Sequence, residues 1–428
     1  MCHNQQFDTP RNIGFEEWNE RFPANRQASH EVARSDLASG CPPTLEKICE
    51  RKSFSKVEKL LVREDKDPRC ISGASDWWNV IFGPWFLAVA EIMKATYNYT
   101  SDIFYATSTT PEQLGSWFDR VHENGGRAMC GDDQISVLID PELGVIYAEG
   151  DGSRHDSHMH RGFWRLKWIV YLWLSGGWQC VPKSIITVVQ AGQAFTIGVC
   201  KLLGVWYWHP FRVRSGDCDT SGSNTVCTDF VASVIKVEFA SVRQAGATLA
   251  QAAEHIEKVC RTQLGYTLKL NLTQDPTDIT FLSGIFVPVN GATFWSPLPG
   301  RLMARLGWTL KLPGGVSRYQ ELAGTINSFK AFRFVPFLRV YLEVASSLIP
   351  DKYRLTRPKL RDEHKHVGRG GYTPFEPSED TWQFFEARYG LTKDDEALFR
   401  VSLSKATTIP FMIDSAVMRV LVDRDVGW

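Results

Sequence analysis

The pattern of apolar and polar residues predicts that strands and helices alternate through the middle of the chain. Residues 134–140 (QISVLID) alternate and are rich in β-branched side chains, and residues 145–151 (VIYAEGD) follow as a second run after the turn sequence PELG. The sequence YTLKL then reads as a strand, and ITFLSGIFVPV reads as a hairpin-like pair of strands. These runs predict an α+β fold.

Apolar residues at helical spacing predict the helices between those strands. One helix is expected at roughly 76–96, and a second after Thr110, which is placed as the N-cap before Pro111 with a stop at Gly125. Two amphipathic helices follow, one from about 226 onward and one over about 245–264. From about 296 to the end the pattern is largely helical, which predicts a separate helical unit.

Two regions do not follow this alternation. The first 50 or so residues are polar and read as irregular. Residues 163–208 are rich in Trp, Ile, Val and Leu, but charged residues interrupt them, so a buried helical layer is favoured over a membrane span. We expect the tryptophans of this region to lie in a core.

Length and charge narrow the class of protein. A chain of 428 residues is long enough for two or three domains. Its 48 basic and 48 acidic side chains cancel, so contacts with nucleic acid or membrane must come from local patches such as the basic run at 51–69. No cysteines form a CxxC pair and no apolar leader run begins the sequence, which favours free thiols in a reducing compartment.

The predicted hairpin brings like charges together. Asp132 and Asp133 precede its first strand, and Asp151 ends its second. With a four-residue turn at 141–144, Asp151 lies opposite Gln134, and Asp132 is its diagonal neighbour at about 7–8 Å. Carboxylates so placed repel each other unless they bind cations, and Mg²⁺ prefers oxygen ligands. The spacing suits a pair of divalent ions of the kind that supports phosphoryl transfer.

Two other metal hypotheses carry less weight. Residues 217–228 resemble a calcium-binding loop at Asp217 and Asp219, but the twelfth position is Thr228 instead of glutamate. The histidines at 155, 158 and 160 are poorly spaced for one helical face, which favours surface or supporting roles.

Five short motifs together resemble those of viral RNA-dependent RNA polymerases. CGDD at 130–133 is similar to motif C, GDGSRHD at 150–156 to motif A, and SGDCDTSGSNT at 215–225 to motif B. KVEKLLVREDKDPR at 56–69 resembles the basic motif F, and FLSGIFVPV with LPGRLMARLGW resembles motif E and the entry to the thumb. The resemblance covers roughly residues 50–310.

The motif order departs from that of most of these polymerases. Here it is C, A, B, which resembles the permuted palm of permutotetraviruses and birnaviruses, with GDD retained. The resemblance implies a right-hand fold with a ferredoxin-like antiparallel palm, in which the motif A strand lies beside the exit strand of motif C. The implied regions are an N-terminal part and fingers (1–96), palm (97–162), a fingers insertion (163–210), palm (211–295) and a helical thumb (296–428).

The resemblance also implies roles for individual residues. Metal ligands would be Asp132, Asp133 and Asp151, with Mg²⁺ or Mn²⁺ as cofactor. A ribose site would be formed by Asp156, Thr220 and Asn224, while Ser215 and Gly216 open a flexible loop toward the templating base pair. The triphosphate would be bound by Lys56, Lys59, Arg63, Lys66 and Arg69, and Lys269 would be a general acid. A second basic stretch at 352–369 would contact duplex phosphates or be a solvated linker.

The activity implied is template-directed RNA synthesis by a positive-strand-like or double-stranded RNA virus. A 3′-hydroxyl would attack the α-phosphate of an NTP with two Mg²⁺, and pyrophosphate would leave. Partners would be RNA and NTPs, with no membrane span, in the host cytoplasm or a virion or replication complex. The alternatives are a reverse transcriptase and a non-catalytic RNA-binding scaffold. Asp156 with Asn224, together with Ser215–Gly216, argues against the first, and the three retained aspartates argue against the second.

Overall fold

The computed structural model describes nine stretches of the chain: residues 13–56, 69–153, 155–175, 183–195, 197–208, 210–308, 317–353, 376–409 and 415–427. The strands are β1 (Arg51–Ser55), β2 (Cys70–Ala74), β3 (Ile103–Tyr105), β4 (Gly126–Cys130), β5 (Asp133–Asp140), β6 (Gly144–Gly152), β7 (Ile197–Cys200), β8 (Val205–Trp208), β9 (Leu268–Thr273), β10 (Gly284–Val289) and β11 (Ala292–Pro297).

The helices are α1 (Phe15–Asn19), α2 (Ala24–Ala38), α3 (Leu45–Cys49), α4 (Asp76–Thr96), α5 (Pro111–Asn124), α6 (His155–His158), α7 (Arg161–Leu174), α8 (Lys183–Phe195), α9 (Thr220–Gln244), α10 (Leu249–Gln263), α11 (Pro299–Arg305), α12 (Arg318–Ser328), α13 (Leu338–Ser347), α14 (Glu379–Tyr389), α15 (Lys393–Leu403) and α16 (Ala416–Val422). Short 3₁₀ turns occur at Lys330–Phe332 and Asp351–Tyr353, and a π-helical turn at Asp423–Gly427.

A five-stranded sheet in the order β3-β4-β5-β6-β9 lies at the centre of the described chain. Its pairs are antiparallel except β3 with β4. Alternation along β5 sends Leu138 to one face, where it packs with residues of α9 and α10. Ile135 and Val137 point to the other face and pack with residues of α5 and β10. With cores on both faces, the sheet is a rigid support for groups at its ends.

Local signals for the helices are confirmed. Helix α4 has the predicted bounds, and the Ser75 hydroxyl caps it by accepting from the Trp78 amide. Helix α5 begins with a capping box at Thr110 and ends at Gly125, which has φ +76°. A residue with a Cβ is strained in that conformation, which explains the stop.

The predicted register of the β5–β6 hairpin is wrong by one residue. The connection is a three-residue loop, Pro141–Leu143, and Asp140 pairs with Gly144 instead of Val145. Gly144 has φ +77°, and the Asp140 carboxylate accepts from the Glu142 and Leu143 amides, so the turn closes tightly. As a result Asp151 lies opposite Asp133, not Gln134.

The apolar run at 279–289 is not a pair of strands. Only an isolated bridge joins Phe281 to Gly284, and β10 pairs instead with the following strand, β11. Its turn at Asn290–Gly291 has positive φ at both residues, as a type I′ hairpin turn requires.

The N-terminal region is helical where it was expected to be irregular. Trp18 of α1 is buried against α4, where a Cβ on Gly83 would lie within 2.4 Å of the indole. His30 of α2 is fully buried and hydrogen-bonded to Asn19 at 2.8 Å. A few buried side chains therefore fix these N-terminal helices, although most of their residues are polar.

A second sheet has the strand order β2-β1-β7-β8. Helix α7 gives the predicted buried layer, since Trp168 is only 2% exposed. The expectation of buried tryptophans fails for strand β8, where Trp206 is 72% and Trp208 is 55% exposed. No helix in the described ranges is long and apolar enough to cross a membrane.

From Pro299 onward the described residues form only helices and turns, as predicted. They share a core with β10 and β11 that includes Phe332, Phe337 and Phe385. The end of the chain is held at the start of α11, where the Gly300 amide donates to Asp425 at 2.7 Å. The eight cysteines in the described ranges are free thiols.

Candidate functional site

The first element of the site is a two-residue turn, Gly131–Asp132, between β4 and β5. Strand β4 was not predicted; its Cys130 pairs with Asp133, so the CGDD sequence lies at a hairpin tip. Gly131 has φ +67°, which suits the first position of a type II′ turn.

Two hydrogen bonds from helix α9 hold this turn in place. The Gly131 amide donates to Thr225 Oγ1 at 2.9 Å, and Thr228 Oγ1 donates to the Gly131 carbonyl at the same distance. Both threonines are almost fully buried. Sequence reasoning did not assign them a role, although their i, i+3 spacing places both hydroxyls on one helical face.

The second element is a row of charged residues across three strands. Asp133 of β5 lies directly opposite Asp151 of β6, and Asp151 lies directly opposite Lys269 of β9. Directly opposite residues point to the same face with Cβ atoms about 4.5–5.5 Å apart. All three side chains are exposed, as is Asp132 in the turn. The diagonal pairing predicted for Asp132 and Asp151 is therefore replaced by a direct pairing of Asp133 with Asp151.

Electrostatics mark this row as a place for a cation. Surrounding protein raises the pKa of Asp133 to about 6, and the charges of Asp132, Asp151 and Glu149 add to the shift, while Arg301 opposes it. Glu149 is itself held by the Thr280 amide and hydroxyl. A divalent ion would relieve the repulsion among these carboxylates.

The donor set fits Mg²⁺ bound together with a substrate. Within the described ranges, no three His, Cys, Asp or Glu side chains are grouped to hold a metal ion by themselves. Mg²⁺ commonly takes one or two carboxylates and completes its shell with water and phosphate oxygens. The three exposed carboxylates at this sheet end are hard oxygen ligands of that kind.

The third element is a hydrogen bond between two residues of the expected ribose site. Asn224 Nδ2 donates to Asp156 Oδ1 at 2.9 Å, although 68 residues separate them. Burial raises the pKa of Asp156, the hydrogen bond from Asn224 lowers it, and the charges of Asp132 and Arg69 act in opposite directions. Asp156 is therefore electrostatically linked to both the GDD turn and the basic run.

The loop before α9 is fixed to the second sheet. Ser215 Oγ accepts from the Ser72 amide at 3.4 Å, and Gly216 forms a bridge with Gly73. A Cβ on Gly216 would lie 2.5 Å from the Ser72 carbonyl. The close approach that this glycine permits is thus to β2, where we had expected an approach to the templating base pair.

Thr220 closes the same loop. Its hydroxyl donates within the loop, to the carbonyls of Arg214 at 2.6 Å and Asp217 at 2.8 Å. Because this hydroxyl already donates its hydrogen within the loop, Thr220 could contact a ribose only as an acceptor.

Two buried ion pairs support this loop. Arg51 Nε donates to Asp217 at 2.6 Å, and Lys167 Nζ donates to Asp219 at 3.0 Å, with all four side chains almost fully buried. Both carboxylates are therefore neutralised by protein cations, which agrees with the low weight given to calcium binding at this loop. Arg51 and Lys167 were missed because a lone cation far along the sequence gives no local signal.

Of the three histidines, His155 lies beneath the site. It is buried, its Nδ1 is hydrogen-bonded to the Tyr266 hydroxyl at 2.7 Å, and burial lowers its pKa to about 4. Tyr266 also packs under Gly152, where a Cβ would lie 1.8 Å from its hydroxyl. A neutral histidine thus fixes the end of β6 beside Asp151.

The basic run is only partly described. The Lys56 amide donates to the Arg69 carbonyl at 2.8 Å, so these two residues extend the β1–β2 hairpin. Lys59, Arg63 and Lys66 lie outside the described residues, as does the stretch at 352–369 beyond Tyr353. Lys56 and Arg69 thus lie at the end of the β1–β2 hairpin, and Ser72 and Gly73 of the same hairpin contact the loop that carries Ser215 and Gly216.

The chain has a fold likeness to solved structures but no match among family models or curated proteins. The chain is similar to a solved structure described as the X-ray structure of the birnavirus VP1-VP3 complex, with a TM-score of 0.49 and 11% sequence identity. The match covers 94% of this chain and 59% of that one, so this chain spans about three fifths of its length.

Proposed function

We propose that the protein carries out template-directed RNA synthesis from nucleoside triphosphates. The observation that carries this proposal is the row in which Asp133 faces Asp151 at the end of the central sheet, with Asp132 in the adjoining turn. Asp133 and Asp151 come from the sequences that resemble motifs C and A, and Asp156 and Asn224 from those that resemble motifs A and B. The reaction is the attack of a 3′-hydroxyl on an α-phosphate, with pyrophosphate leaving.

Asp151, Asp132 and Asp133 would hold Mg²⁺ or Mn²⁺ together with the triphosphate. When bound, the ion supplies charge neutralisation and orientation for the phosphate oxygens. The protein keeps these carboxylates aligned through the α9 threonines on one side and the His155–Tyr266 pair on the other.

The Asp156–Asn224 pair would recognise the ribose. A 2′-hydroxyl both donates and accepts, so a carboxylate with a neighbouring amide can bind both of its functions. Asn224 Oδ1 is buried and has no hydrogen-bond partner in the described part of the chain, which makes it an acceptor for such a hydroxyl. This pair favours NTPs over dNTPs and therefore an RNA polymerase over a reverse transcriptase.

Cations on two sides of the site would bind the triphosphate. Arg69 acts on Asp156 electrostatically, and Lys56 is its partner at the end of the β1–β2 hairpin. We assign Lys59, Arg63 and Lys66 to the same task. Lys269 lies beside Asp151 in the row and is the candidate general acid toward pyrophosphate.

The larger arrangement we propose is a permuted viral polymerase. The central sheet would be the palm, in which β5 of the GDD hairpin leads directly into β6 with Asp151. The second sheet with α4, α7 and α8 would belong to the fingers, and the helices from Pro299 onward would form the thumb. Such an enzyme would act on RNA in the host cytoplasm, a virion or a replication complex.

Primer extension tests the proposal. A primed RNA template with NTPs and Mg²⁺ should be extended by the wild-type protein and not by Asp151→Asn, which keeps the shape of the side chain but removes its charge. Asp394→Asn, an exposed substitution on α15, is the matched control and should extend normally.

The other candidate functions give different results. Preferential use of dNTPs would identify a reverse transcriptase. RNA binding with no extension under any metal would identify a non-catalytic scaffold. Extension that survives Asp151→Asn would show that the metal site is misplaced.

A further inference from the structure

The β7–β8 hairpin exposes apolar side chains at its tip. Strand β7 ends at Cys200, β8 begins at Val205, and the four-residue loop between them closes with Gly204 at φ +63°. Leu202 is 92% exposed and Leu203 is 73% exposed. Two adjacent leucines at a loop tip extend into solvent, where they gain nothing from the core of the protein.

The outer face of the same hairpin is also apolar. The register places Trp206 beside Val199 and Trp208 beside Ile197 on this face. Tyr207 points the other way, and its hydroxyl is hydrogen-bonded to Ser72 at 2.5 Å. The face continues onto β1, where Phe54 is 54% exposed.

The charges on this surface have one sign. Residues 197–208 include Lys201 at the tip and no acidic side chain. Lys52 of β1 pairs with Val199, so it lies on the same face as Trp206, and it is exposed. Among the described residues of β7, β8, their loop and Lys52, the surface is therefore apolar with two cations and no anion.

We propose that this hairpin inserts its tip into the surface of an anionic phospholipid membrane. Strands rise about 3.3 Å per residue, so Trp206 lies about 10 Å behind Leu203. Interfacial segments bury their apolar groups about 5–10 Å deep. The leucines then reach the acyl chains, the tryptophan rings lie at the headgroup level that they prefer, and Lys201 and Lys52 meet lipid phosphates.

Two other occupants fit this surface less well. Single-stranded RNA needs a row of cations along its backbone, and here large apolar side chains outnumber two lysines. Bases could stack on Trp206 and Trp208, but the two leucines that extend furthest into solvent offer no ring. Association with a second copy of the chain would not explain why leucines lie at the tip and tryptophans lie behind them. The proposal does not depend on the polymerase activity.

Vesicle flotation tests this inference with the full-length protein. Vesicles of equal amounts of phosphatidylcholine and phosphatidylserine should carry the wild-type protein upward, and vesicles of phosphatidylcholine alone should carry less. The variant Leu202→Ser/Leu203→Ser should lose about a hundredfold in vesicle affinity, because two leucines no longer enter the bilayer. The matched control is Leu398→Ser/Val401→Ser on α15, where both residues are 64% exposed, and it should bind like wild type.

Thermal unfolding of each variant should match wild type, since the tip leucines support no core. Three results would overturn the inference. The wild-type protein could fail to float with the vesicles, the tip variant could float as well as wild type, or the control variant could lose as much vesicle binding as the tip variant. A tip variant that instead changes RNA affinity or oligomeric state, with no vesicle binding by wild type, would assign the surface to RNA or to a second copy.

Discussion

The two ends of the β5–β6 hairpin use carboxylates in opposite ways. At the turn end, Asp140 accepts from Arg243 of α9 at 2.7 Å, and this hydrogen bond lowers the pKa of Asp140 to about 2. At the other end, Asp133 faces Asp151, and its pKa is raised to about 6. The same helix, α9, contacts both ends, yet it brings a cation only to the first.

The difference separates a structural carboxylate from a functional one. Asp140 has a permanent partner, so its charge stabilises the fold. Asp133 keeps a destabilising charge in an exposed position, which is reasonable only if a ligand supplies the missing cation. Helix α9 reaches that end with threonine hydroxyls that hold the turn and leave the carboxylates free for a metal.

The largest expected effect comes from exchanging charge for amide at each end. Asp133→Asn should lower primer extension by about a hundredfold or more, because a charged metal ligand is lost, and should make the metal-free protein more stable than wild type at neutral pH, because a destabilising charge is removed. Asp140→Asn should leave extension within about threefold of wild type and lower the free energy of unfolding by about 1 kcal/mol. Extension rates and urea unfolding of both variants check this; a reversed pattern would break the comparison.

A smaller effect is expected at the ribose site. Asn224→Ala leaves Asp156 without its hydrogen bond, so discrimination between NTP and dNTP should fall by about tenfold with less change in NTP turnover. Competition between ATP and dATP in primer extension measures it. Asn25→Ala on α2, an exposed site, is the control. Unchanged discrimination would remove the pair from the ribose site.

The threonines beneath the GDD turn should matter less again. Thr225→Val and Thr228→Val each remove one bond to Gly131 and keep the shape of the side chain, so extension should fall about fivefold and the Mg²⁺ concentration for half-maximal rate should rise. Thr262→Val, whose hydroxyl only bonds within α10, should change neither quantity. A loss of stability with an unchanged Mg²⁺ requirement would make these residues purely structural.

The pH dependence of stability should have opposite sign at the two ends. The Asp140 pair stabilises the fold fully above the unfolded pKa near 4, and its contribution is lost as the pH falls through about 2. Arg243→Gln should therefore cost about 1 kcal/mol at pH 7 and much less below pH 2. The raised pKa of Asp133 favours its protonated form, so wild type should gain stability relative to Asp133→Asn as the pH falls from about 6 to about 4. Urea unfolding across this range tests both.

Features set by residues close together in the sequence could be predicted, and features set by distant residues could not. Helices α4 and α5 have their capping residues within three positions, so local patterns were sufficient. The hairpin register failed because it depended on whether Gly144 closed the loop or began the strand, a choice set by its positive φ. Because of this error, Gln134 was predicted opposite Asp151, where the structure has Asp133.

Contacts between residues far apart in the sequence could not be predicted from local patterns. The bond between Gly131 and Thr225 spans 94 residues, and the Arg51–Asp217 pair spans 166. Composition also misled, because the tryptophans of β8 resemble core residues and lie on an exposed face. The motifs still identified Asp156 with Asn224 as a pair, since the resemblance carries information that periodicity does not.

The location of a bound metal tests the central claim most directly. Crystals grown with Mn²⁺ and an NTP, measured at the manganese absorption edge, would show where the ion binds. The account predicts anomalous density beside the carboxylates of Asp151, Asp132 and Asp133, absent in Asp151→Asn. Density elsewhere, or none in wild-type crystals that contain ordered NTP, would contradict it.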